Sequence, residues 1–381
     1  TKLKAEWQGG RLLMKEDVIQ KKAIDVAVAS EIDVEDVCTI MYTSGTTGHP
    51  KGVLQTYGNH WWSAVGAALN VGLSERDGWL LALPLYHISG YSILMRSLIY
   101  GMKVVLLRSF DERAALETIR RENVTMMSVV STMLTRMIEA MKDETLPPSF
   151  RCMLLGGGTA SESLLKACQE KRIPVYQTYG MTETASQIVT IAPEDALRKL
   201  GSCGKPLFPA QLKIVDDAGN EVAANVAGEI VVKGPNVTKG YLHRDDATKR
   251  AIRDGWLYTG DIGYVDEEGF LYVLDRRSDL IISGGENVYP AEVENILLSH
   301  PSVRDAGVVG MKDDTWGEVP VAFIVGDEAE RESIRAFCEE RLAKFKVPKR
   351  FIFIDAIPRT ASKKIKRRAL REKLEREVDK S

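Results

Sequence analysis

Cysteine and histidine are both scarce in this chain. Each occurs five times in 381 residues, and no two of these residues stand at the spacing of a metal site. The cysteines lie far apart without a C-x-x-C pair, which argues against a zinc site and favours reduced thiols in the cytoplasm. They are Cys38, Cys152, Cys168, Cys203 and Cys338.

Long apolar runs and excess charge are also missing. No apolar run reaches the ~18 residues that a membrane-spanning helix needs. A net charge of −2 argues against bulk attraction to nucleic acid or membranes. No Gly-x-Ser-x-Gly elbow of a hydrolase nucleophile occurs. With 44% apolar and 27% charged residues, the composition is that of a soluble globular protein with two or three domains.

Strand-like and helix-like segments alternate from residue 38 to residue 155, with helices predicted over 57–71 and 88–100. This alternation predicts an α/β fold in which helices cover a parallel sheet. After about residue 200, dense turn signals and short strands predict a small antiparallel β subdomain. A polar break at 275–279 predicts a boundary. We therefore expect a large domain over 1–277, β-rich over 200–277, and a small mobile α+β domain over 278–381.

The most informative motif is a glycine- and hydroxyl-rich loop after a strand predicted over 38–43. Its glycines let the backbone approach a ligand closely, its hydroxyls and amides donate, and a lysine supplies charge, as a clasp on polyphosphate requires. Pro50 and Gly52 replace residues of the Walker A loop, so this is a different motif. An ordinary polar loop is the alternative. The candidate residues are Thr43, Ser44, Gly45, Thr46, Thr47, Gly48 and Lys51.

Three consecutive glycines follow the strand predicted over 152–155. Gly156, Gly157 and Gly158 offer a bare backbone against which a purine or a phosphate could lie. A plain strand-to-helix turn is the alternative.

A third cluster, Tyr179-Gly180-Met181-Thr182-Glu183, also follows a predicted strand. Tyr179 could stack on a base, Thr182 could bond a phosphate, and Glu183 could hold Mg²⁺, which prefers one or two carboxylates together with substrate phosphates. A surface turn with a solvated glutamate is the alternative.

Three single residues complete the candidates. Asp261 follows a Thr-Gly turn and could accept both hydroxyls of a ribose, although Gly-Asp is a common turn pair. Lys364 lies in a short basic tail and could reach an anionic centre, although charge runs usually face water. His87 follows a strand and suits a pocket wall or a neutral donor, although a satisfied core histidine fits equally well.

Taken together and in this order, these clusters resemble the adenylate-forming acyl-CoA synthetase family. Five ordered matches spread over some 320 residues are far more specific than any one of them. Residues 43–52 resemble the family's phosphate signature, residues 179–183 its Tyr-Gly-x-Thr-Glu motif, residues 258–261 its Thr-Gly-Asp motif, and residues 269–285 its hinge region. Within the family, stretches such as Leu-Pro-Leu-Tyr-His-Ile-Ser-Gly at 83–90 favour a member that acts on an aromatic dicarboxylate.

The resemblance implies ATP, Mg²⁺ and coenzyme A, with a small carboxylic acid as the acyl donor. The β- and γ-phosphates would be held by the residues of the phosphate loop, and adenine by Tyr179 and the three glycines. Asp261 and Arg276 would hold the ribose. The reacting groups would be held by Thr182 on the α-phosphate, Glu183 on Mg²⁺ and Lys364 between the acid and the α-phosphate. His87, Ser89 and Gly90 would line the acid pocket.

Two departures from the family pattern bear on these roles. The family usually has Gly before its catalytic lysine, whereas Lys363 precedes Lys364 here, so either lysine could be the catalytic one. Only 42 residues precede Thr43, where the family has a substantial subdomain. We therefore expect the large domain to be N-terminally incomplete.

Two alternatives stay open at this point. The first is a related ligase for a fatty or aryl acid, and the second is a nucleotide-binding module without catalysis. The chain predicts no nucleic-acid partner and no membrane span, and it leaves a homo-oligomer open.

Overall fold

The computed structural model describes residues 30–43, 50–158, 160–276, 279–360 and 365–378. Val34–Ser381 form one compact unit. Several candidate residues lie outside the described residues: Ser44, Gly45, Thr46, Thr47, Gly48, Lys363, Lys364 and the side chain of Arg276.

The strands are numbered in chain order. They are β1 (Val37–Thr43), β2 (Lys51–Thr56), β3 (Gly78–Leu81), β4 (Lys103–Leu106), β5 (Met126–Val129), β6 (Cys152–Leu155), β7 (Val175–Met181), β8 (Ser186–Ile191), β9 (Ser202–Pro206), β10 (Gln211–Val215), β11 (Gly228–Lys233), β12 (Gly240–Tyr241), β13 (Ile252–Arg253), β14 (Trp256–Val265), β15 (Leu271–Arg276), β16 (Ile281–Ser283), β17 (Glu286–Val288), β18 (Val303–Asp313), β19 (Gly317–Gly326) and β20 (Arg350–Phe353).

The described helices are numbered in the same way. They are α1 (Tyr57–Val71), α2 (Ile88–Tyr100), α3 (Glu112–Arg121), α4 (Ser131–Met141), α5 (Glu162–Glu170), α6 (Pro193–Ala196), α7 (Asp245–Ala251), α8 (Pro290–Leu298), α9 (Arg331–Arg341) and α10 (Arg367–Val378), with short 3-10 turns at Thr182–Thr184, Glu328–Glu330 and Lys344–Lys346.

One twelve-stranded sheet organises most of the chain, in the order β10-β11-β14-β15-β9-β8-β7-β6-β5-β3-β4, with β13 against β14. The strands from β4 to β7 run parallel. The α/β sheet expected from the sequence is therefore confirmed. From β7 onward the pairings are antiparallel, and β9 joins the strands found after residue 200 to the parallel ones.

Both faces of the parallel part are buried, as its continuous apolar strands predict. Leu80 of β3 packs into the cluster formed with α3, α4 and α5. Its neighbours Trp79 and Leu81 point to the opposite face, into a cluster with Ile93 of α2. Because successive side chains of a strand point to opposite faces, each face of the sheet has its own apolar core. The loops follow at the carboxyl ends of the strands.

Two smaller sheets complete the described architecture. β1, β2 and β12 form a three-stranded antiparallel sheet. The five-stranded sheet β17-β16-β19-β18, with β20 parallel to β19, lies in the region expected to be the small C-terminal domain. The boundary at 277/278 stays a prediction.

Helix α1 begins where the sequence predicts because Thr56 caps it. The amide of Asn59 donates to Oγ1 of Thr56, and Oδ1 of Asn59 accepts from the amide of Thr56, which is a capping box. Gly72 ends the helix at φ +81°. Among the described helices, none has the length and apolarity to cross a bilayer.

Candidate active site

The two strands that flank the predicted phosphate loop pair with each other. Thr43 at the end of β1 pairs with Lys51 at the start of β2, so the two ends of the loop lie side by side. The other edge of β2 pairs with β12, where Tyr241 lies opposite Val53. This register brings a tyrosine from far along the chain next to the hairpin.

The Thr-Glu part of the 179–183 motif lies in a single 3-10 turn, Thr182–Thr184, directly after β7. The three carbonyl groups of this turn and that of the following Ala185 accept hydrogen bonds from other parts of the chain, which fixes its backbone. The donors are Gln55 Nε2 to Thr182 (2.7 Å), the amide of Thr238 to Glu183 (2.8 Å), Asn236 Nδ2 to Thr184 (3.0 Å) and Ser63 Oγ to Ala185 (2.7 Å).

Gln55 also ties the turn to β1. Its Oε1 accepts from Oγ1 of Thr39 over 2.9 Å, and the same hydroxyl lies 2.9 Å from Nε2 of His60. Burial, followed by the charge of Arg96, lowers the pKa of His60 to about 4, so the ring is neutral. A buried polar chain therefore connects the strand before the phosphate loop with the backbone of Thr182.

Tyr241 contacts both the carboxylate of Glu183 and the ammonium of Lys51. The hydroxyl of Tyr241 donates to Oε1 of Glu183 over 3.0 Å. The ammonium of Lys51 lies 4.8 Å from the centroid of the same ring. Tyr241 lies 58 residues after Glu183 and its local sequence gives no signal, so the sequence alone does not predict its place in the site.

The donor set at Glu183 fits a magnesium ion that is shared with phosphates. Within the described ranges, no group of three His, Cys, Asp or Glu side chains could form a metal cage of protein ligands alone. One carboxylate beside a predicted polyphosphate loop is the arrangement that Mg²⁺ prefers.

The predicted base and ribose clusters also come together. The hydroxyl of Tyr179 donates to Oδ2 of the buried Asp261 over 2.8 Å. Burial, followed by the negative charge of Asp261, raises the pKa of Tyr179, so this hydroxyl remains a donor. The β14–β15 register places the backbone of Arg276 opposite Asp261.

The candidate glycines serve different ends. Gly157 has φ +87°, which other residues rarely adopt. A Cβ on Gly158 would meet no described atom within 4 Å, so this position faces open space, as a ligand surface requires. A Cβ on Gly180 would lie 2.1 Å from the carbonyl oxygen of Ser186. Packing of β7 against β8 therefore requires glycine at position 180, which the sequence presents only as a member of the 179–183 cluster.

His87 precedes the first turn of α2, and its ring lies 4.7 Å from that of Tyr86, centroid to centroid. Gly90, three residues on, packs so closely that a Cβ would lie 2.4 Å from the carbonyl oxygen of Pro84. This contact holds the start of α2 against the segment that follows β3. The catalytic role of His87 stays a prediction.

Arg96 of α2 is a buried cation that the sequence does not predict. It is 1% exposed, and its Nη2 donates to Oε1 of Gln187 over 3.2 Å and to Oγ of Ser186 over 3.4 Å. Its Nε and Nη1 have no hydrogen-bond partner within the described part of the chain. Burial lowers its pKa. An unneutralised guanidinium thus lies beside the residues that follow the Thr182–Thr184 turn, where it could receive an anion.

The predicted hinge is flanked by ionic contacts. Oδ2 of Asp275, in β15, accepts from the amide of Ala291 at the start of α8 over 2.8 Å. Arg367 of α10 lies 3.8 Å from Asp275 and 2.9 Å from Glu294. Asp279 binds Arg371 over 3.1 Å. These contacts join the end of the large sheet to the C-terminal helices. Lys364, which precedes α10, lies outside the described residues.

Two family models match the chain. One described as "AMP-binding enzyme" covers residues 4–242, and one described as "AMP-binding enzyme C-terminal domain" covers residues 292–364. Together they include the phosphate loop, the Thr182–Thr184 turn and Lys364.

Curated relatives and solved structures resemble the chain over nearly its whole length. A 2-succinylbenzoate--CoA ligase of Geobacillus kaustophilus (strain HTA426) is 63% identical over 365 residues, which cover 95% of this chain and 74% of the relative. The ligase of the same name from Bacillus mycoides (strain KBAB4) is 57% identical, over 94% of this chain and 75% of the relative.

The solved structures include o-succinylbenzoate CoA synthetase (MenE) from Bacillus subtilis in complex with the acyl-adenylate intermediate OSB-AMP. It is 52% identical with a TM-score of 0.89, over 93% of this chain and 73% of that one. The same enzyme with ATP and magnesium ion has a TM-score of 0.88 at 52% identity, over 93% of this chain and 74% of that one.

Proposed function

Because the chain belongs to the AMP-binding enzyme family, we propose that it is an AMP-forming ligase that joins 2-succinylbenzoate to coenzyme A in menaquinone biosynthesis. The observation that carries the nucleotide part is the meeting of Glu183, Tyr241 and Lys51 beside the phosphate-loop hairpin. The identity of the acid is supported by relatives of this name at 57–63% identity.

In the first half-reaction, a carboxylate oxygen of the acid attacks the α-phosphorus of ATP, and the bond to the pyrophosphate oxygen breaks. Two anions meet in this step, so catalysis requires positioning and electrostatic stabilisation. Thr182 would bond the α-phosphate, and Lys364 would bridge it to the incoming carboxylate. The phosphate loop, which ends at Lys51, would hold the departing pyrophosphate.

Glu183 would hold magnesium, which neutralises charge on the phosphate oxygens when it is bound with ATP. The hydrogen-bonded carbonyls of its turn and of Ala185 keep the carboxylate in place without reorganisation. Tyr179, with its hydroxyl on Asp261, would present its ring to adenine and help to orient Asp261 toward the ribose. Gly158 offers the open backbone on which the purine would rest.

A dicarboxylic substrate needs a partner for the carboxylate that does not react. Arg96 supports this part of the proposal, because its guanidinium is buried with two nitrogens that have no partner among the described residues. Burying an uncompensated charge is costly, and such a cost is usually retained for function. His87, Ser89 and Gly90, at the start of the same helix, would form the wall of the acid pocket.

In the second half-reaction, the thiol of coenzyme A loses its proton, its sulfur attacks the carbonyl carbon of the acyl-adenylate, and AMP leaves. The 278–381 domain would rotate about the 275–279 segment. This rotation would move Lys364 out of the site and bring the residues of the coenzyme A channel to it. Gly284 and Gly285, at φ +62° and +87°, would line that channel.

We further propose a cytoplasmic location, which is supported by five cysteines that are all free thiols. The sequence leaves a homo-oligomer open, and sedimentation equilibrium of the purified protein would distinguish it from a monomer. The proposed function includes no nucleic-acid partner.

Acid-dependent exchange of pyrophosphate into ATP tests the proposed function directly. The purified chain, ATP, Mg²⁺ and labelled pyrophosphate should exchange label only when 2-succinylbenzoate is present, and addition of coenzyme A should then give the thioester. Exchange with long-chain fatty acids but not with 2-succinylbenzoate would overturn the assignment of the acid. ATP binding without exchange with any acid would favour a non-catalytic nucleotide-binding module.

A further inference from the structure

Tyr241 stands between the two charged groups of the candidate site. Its hydroxyl donates to Oε1 of Glu183 over 3.0 Å, and its ring face lies 4.8 Å from the ammonium of Lys51. An aromatic ring attracts a cation over its face, while a phenol donates along its edge. The side chain of Tyr241 therefore donates a hydrogen bond to an anion and presents its ring face to a cation.

The backbone fixes Tyr241 in this position. β12 pairs with β2, so that Tyr241 lies opposite Val53, two residues from Lys51. The tyrosine is 7% exposed and packs against Val53 and Ala247. Its amide donates to Oγ1 of Thr248 over 2.9 Å. The ring has little freedom, so its hydroxyl has one direction to donate.

Glu183 is held equally firmly at its backbone. Its carbonyl accepts from the amide of Thr238, three residues before Tyr241. The segment from Thr238 to Tyr241 therefore donates hydrogen bonds to both the main chain and the carboxylate of Glu183. Lys51, for its part, forms no ion pair with any residue that the structure describes, so its charge stays available for an anionic ligand.

We propose that Tyr241 is a positioning residue that orients the Glu183 carboxylate for magnesium and keeps Lys51 directed to the phosphates. The proposal rests on the proposed function, because it needs ATP and Mg²⁺ as ligands.

The experiment measures how much Mg²⁺ strengthens ATP binding. Isothermal titration gives the Kd of ATP in EDTA and in saturating MgCl₂ without any acid, and the ratio of the two is the magnesium enhancement. Tyr241→Phe keeps the ring over Lys51 and removes only the donor. We expect the enhancement to fall about tenfold, as for a lost hydrogen bond to a charged group, and the Kd in EDTA to stay unchanged.

A double-mutant cycle shows whether the effect acts through Glu183. In the Glu183→Gln background, Tyr241→Phe should change the enhancement less than about twofold. Tyr264→Phe is the matched control, because its ring stacks on Tyr272 in the antiparallel part of the sheet. That variant should match the wild type in both titrations.

Each other outcome overturns the proposal in its own way. An unchanged enhancement in Tyr241→Phe would show that the hydroxyl does not position Glu183. An equal loss of affinity with and without Mg²⁺, or loss of the thermal unfolding transition, would assign Tyr241 a structural role. A wild-type protein that binds ATP no better with Mg²⁺ would remove the proposed function itself, and the inference with it.

Discussion

At the scale of single residues, the proposed role of Lys364 can be tested because it belongs to only one of the two half-reactions. A cation that bridges the acid and the α-phosphate acts in adenylation, whereas attack by the thiol on a finished adenylate does not need it. In Lys364→Ala we expect pyrophosphate exchange to fall by about three orders of magnitude, the range for removal of one electrostatic donor. Thioester formation from preformed acyl-adenylate should persist.

Lys363→Ala is the control for this substitution. It removes the same charge one position earlier and should exchange label at close to the wild-type rate. The reverse pattern, with exchange lost in Lys363→Ala and kept in Lys364→Ala, would move the catalytic role to Lys363.

We expect Arg96 to lower the stability of the folded protein and to strengthen binding of the acid. Met fills a similar volume without a charge, so Arg96→Met removes a buried cation that lacks a carboxylate partner among the described residues. We expect the free energy of unfolding to rise by about 1 kcal/mol, and the KM for 2-succinylbenzoate to rise about a hundredfold, as for loss of a buried charge pair with the ligand. Urea unfolding and exchange kinetics measure the two effects.

Gln187→Ala controls for the general effect of disturbing this cluster. It removes a neutral acceptor of Arg96 and leaves the cation in place. If Arg96→Met lowered stability and left the KM for the acid unchanged, Arg96 would be a structural residue.

At the scale of elements, two glycines of the predicted nucleotide site should separate packing from binding. A Cβ on Gly180 would lie 2.1 Å from a backbone oxygen of β8, which cannot move without shifting the strand. Gly180→Ala should lower the free energy of unfolding by about 3 kcal/mol or more. Gly158→Ala should stay within about 0.5 kcal/mol of the wild type but weaken ATP binding, because its Cβ would occupy the ligand's space.

Urea unfolding and ATP titration of both variants make this comparison. Unchanged ATP affinity in Gly158→Ala would remove the three-glycine segment from the nucleotide site. Unchanged stability in Gly180→Ala would show that β7 and β8 can separate without cost.

Elements with a strong local signal could be predicted from the sequence. Helices α1 and α2 have the bounds expected, because their apolar content, the Thr56 cap and the glycines after them act locally. Glu183 and Asp261 could be named because each stands in a short motif. Gln55, Arg96 and Tyr241 could not, because each reaches its partner through sheet pairing or helix packing over 58 to 127 residues. No local pattern encodes such a contact.

At the scale of the whole molecule, the contacts beside the predicted hinge link the large sheet to the C-terminal helices. Glu294 of α8 is 6% exposed, and its carboxylate accepts from Arg367 of α10 and from the amide of Val308 in β18. Asp275 at the end of β15 faces the same guanidinium, and Arg359 adds a second positive charge. A rotation of the small domain would have to rearrange this network, so its charge state bears on how firmly the two parts hold together.

The stability of the protein should therefore depend on the proton of Glu294. Burial raises the pKa of Glu294 from 4.5 to about 7 against the opposing charge of Arg367. The folded protein then binds this proton more tightly than the unfolded chain does. Its stabilising contribution is full below pH 4.5 and is lost as the pH rises through about 7.

Glu294→Gln keeps an acceptor for the Val308 amide but cannot ionise. Relative to this variant, the wild type should lose up to about 3 kcal/mol of unfolding free energy between about pH 5 and pH 8, measured by urea unfolding. Glu292 lies on the same helix as Glu294, and Glu292→Gln breaks a partly exposed ion pair with Lys346. This variant should run parallel to the wild type. Parallel curves for Glu294→Gln and the wild type would show instead that the Arg367 pair keeps Glu294 ionised throughout, and that proton release does not loosen the joint between sheet and C-terminal helices.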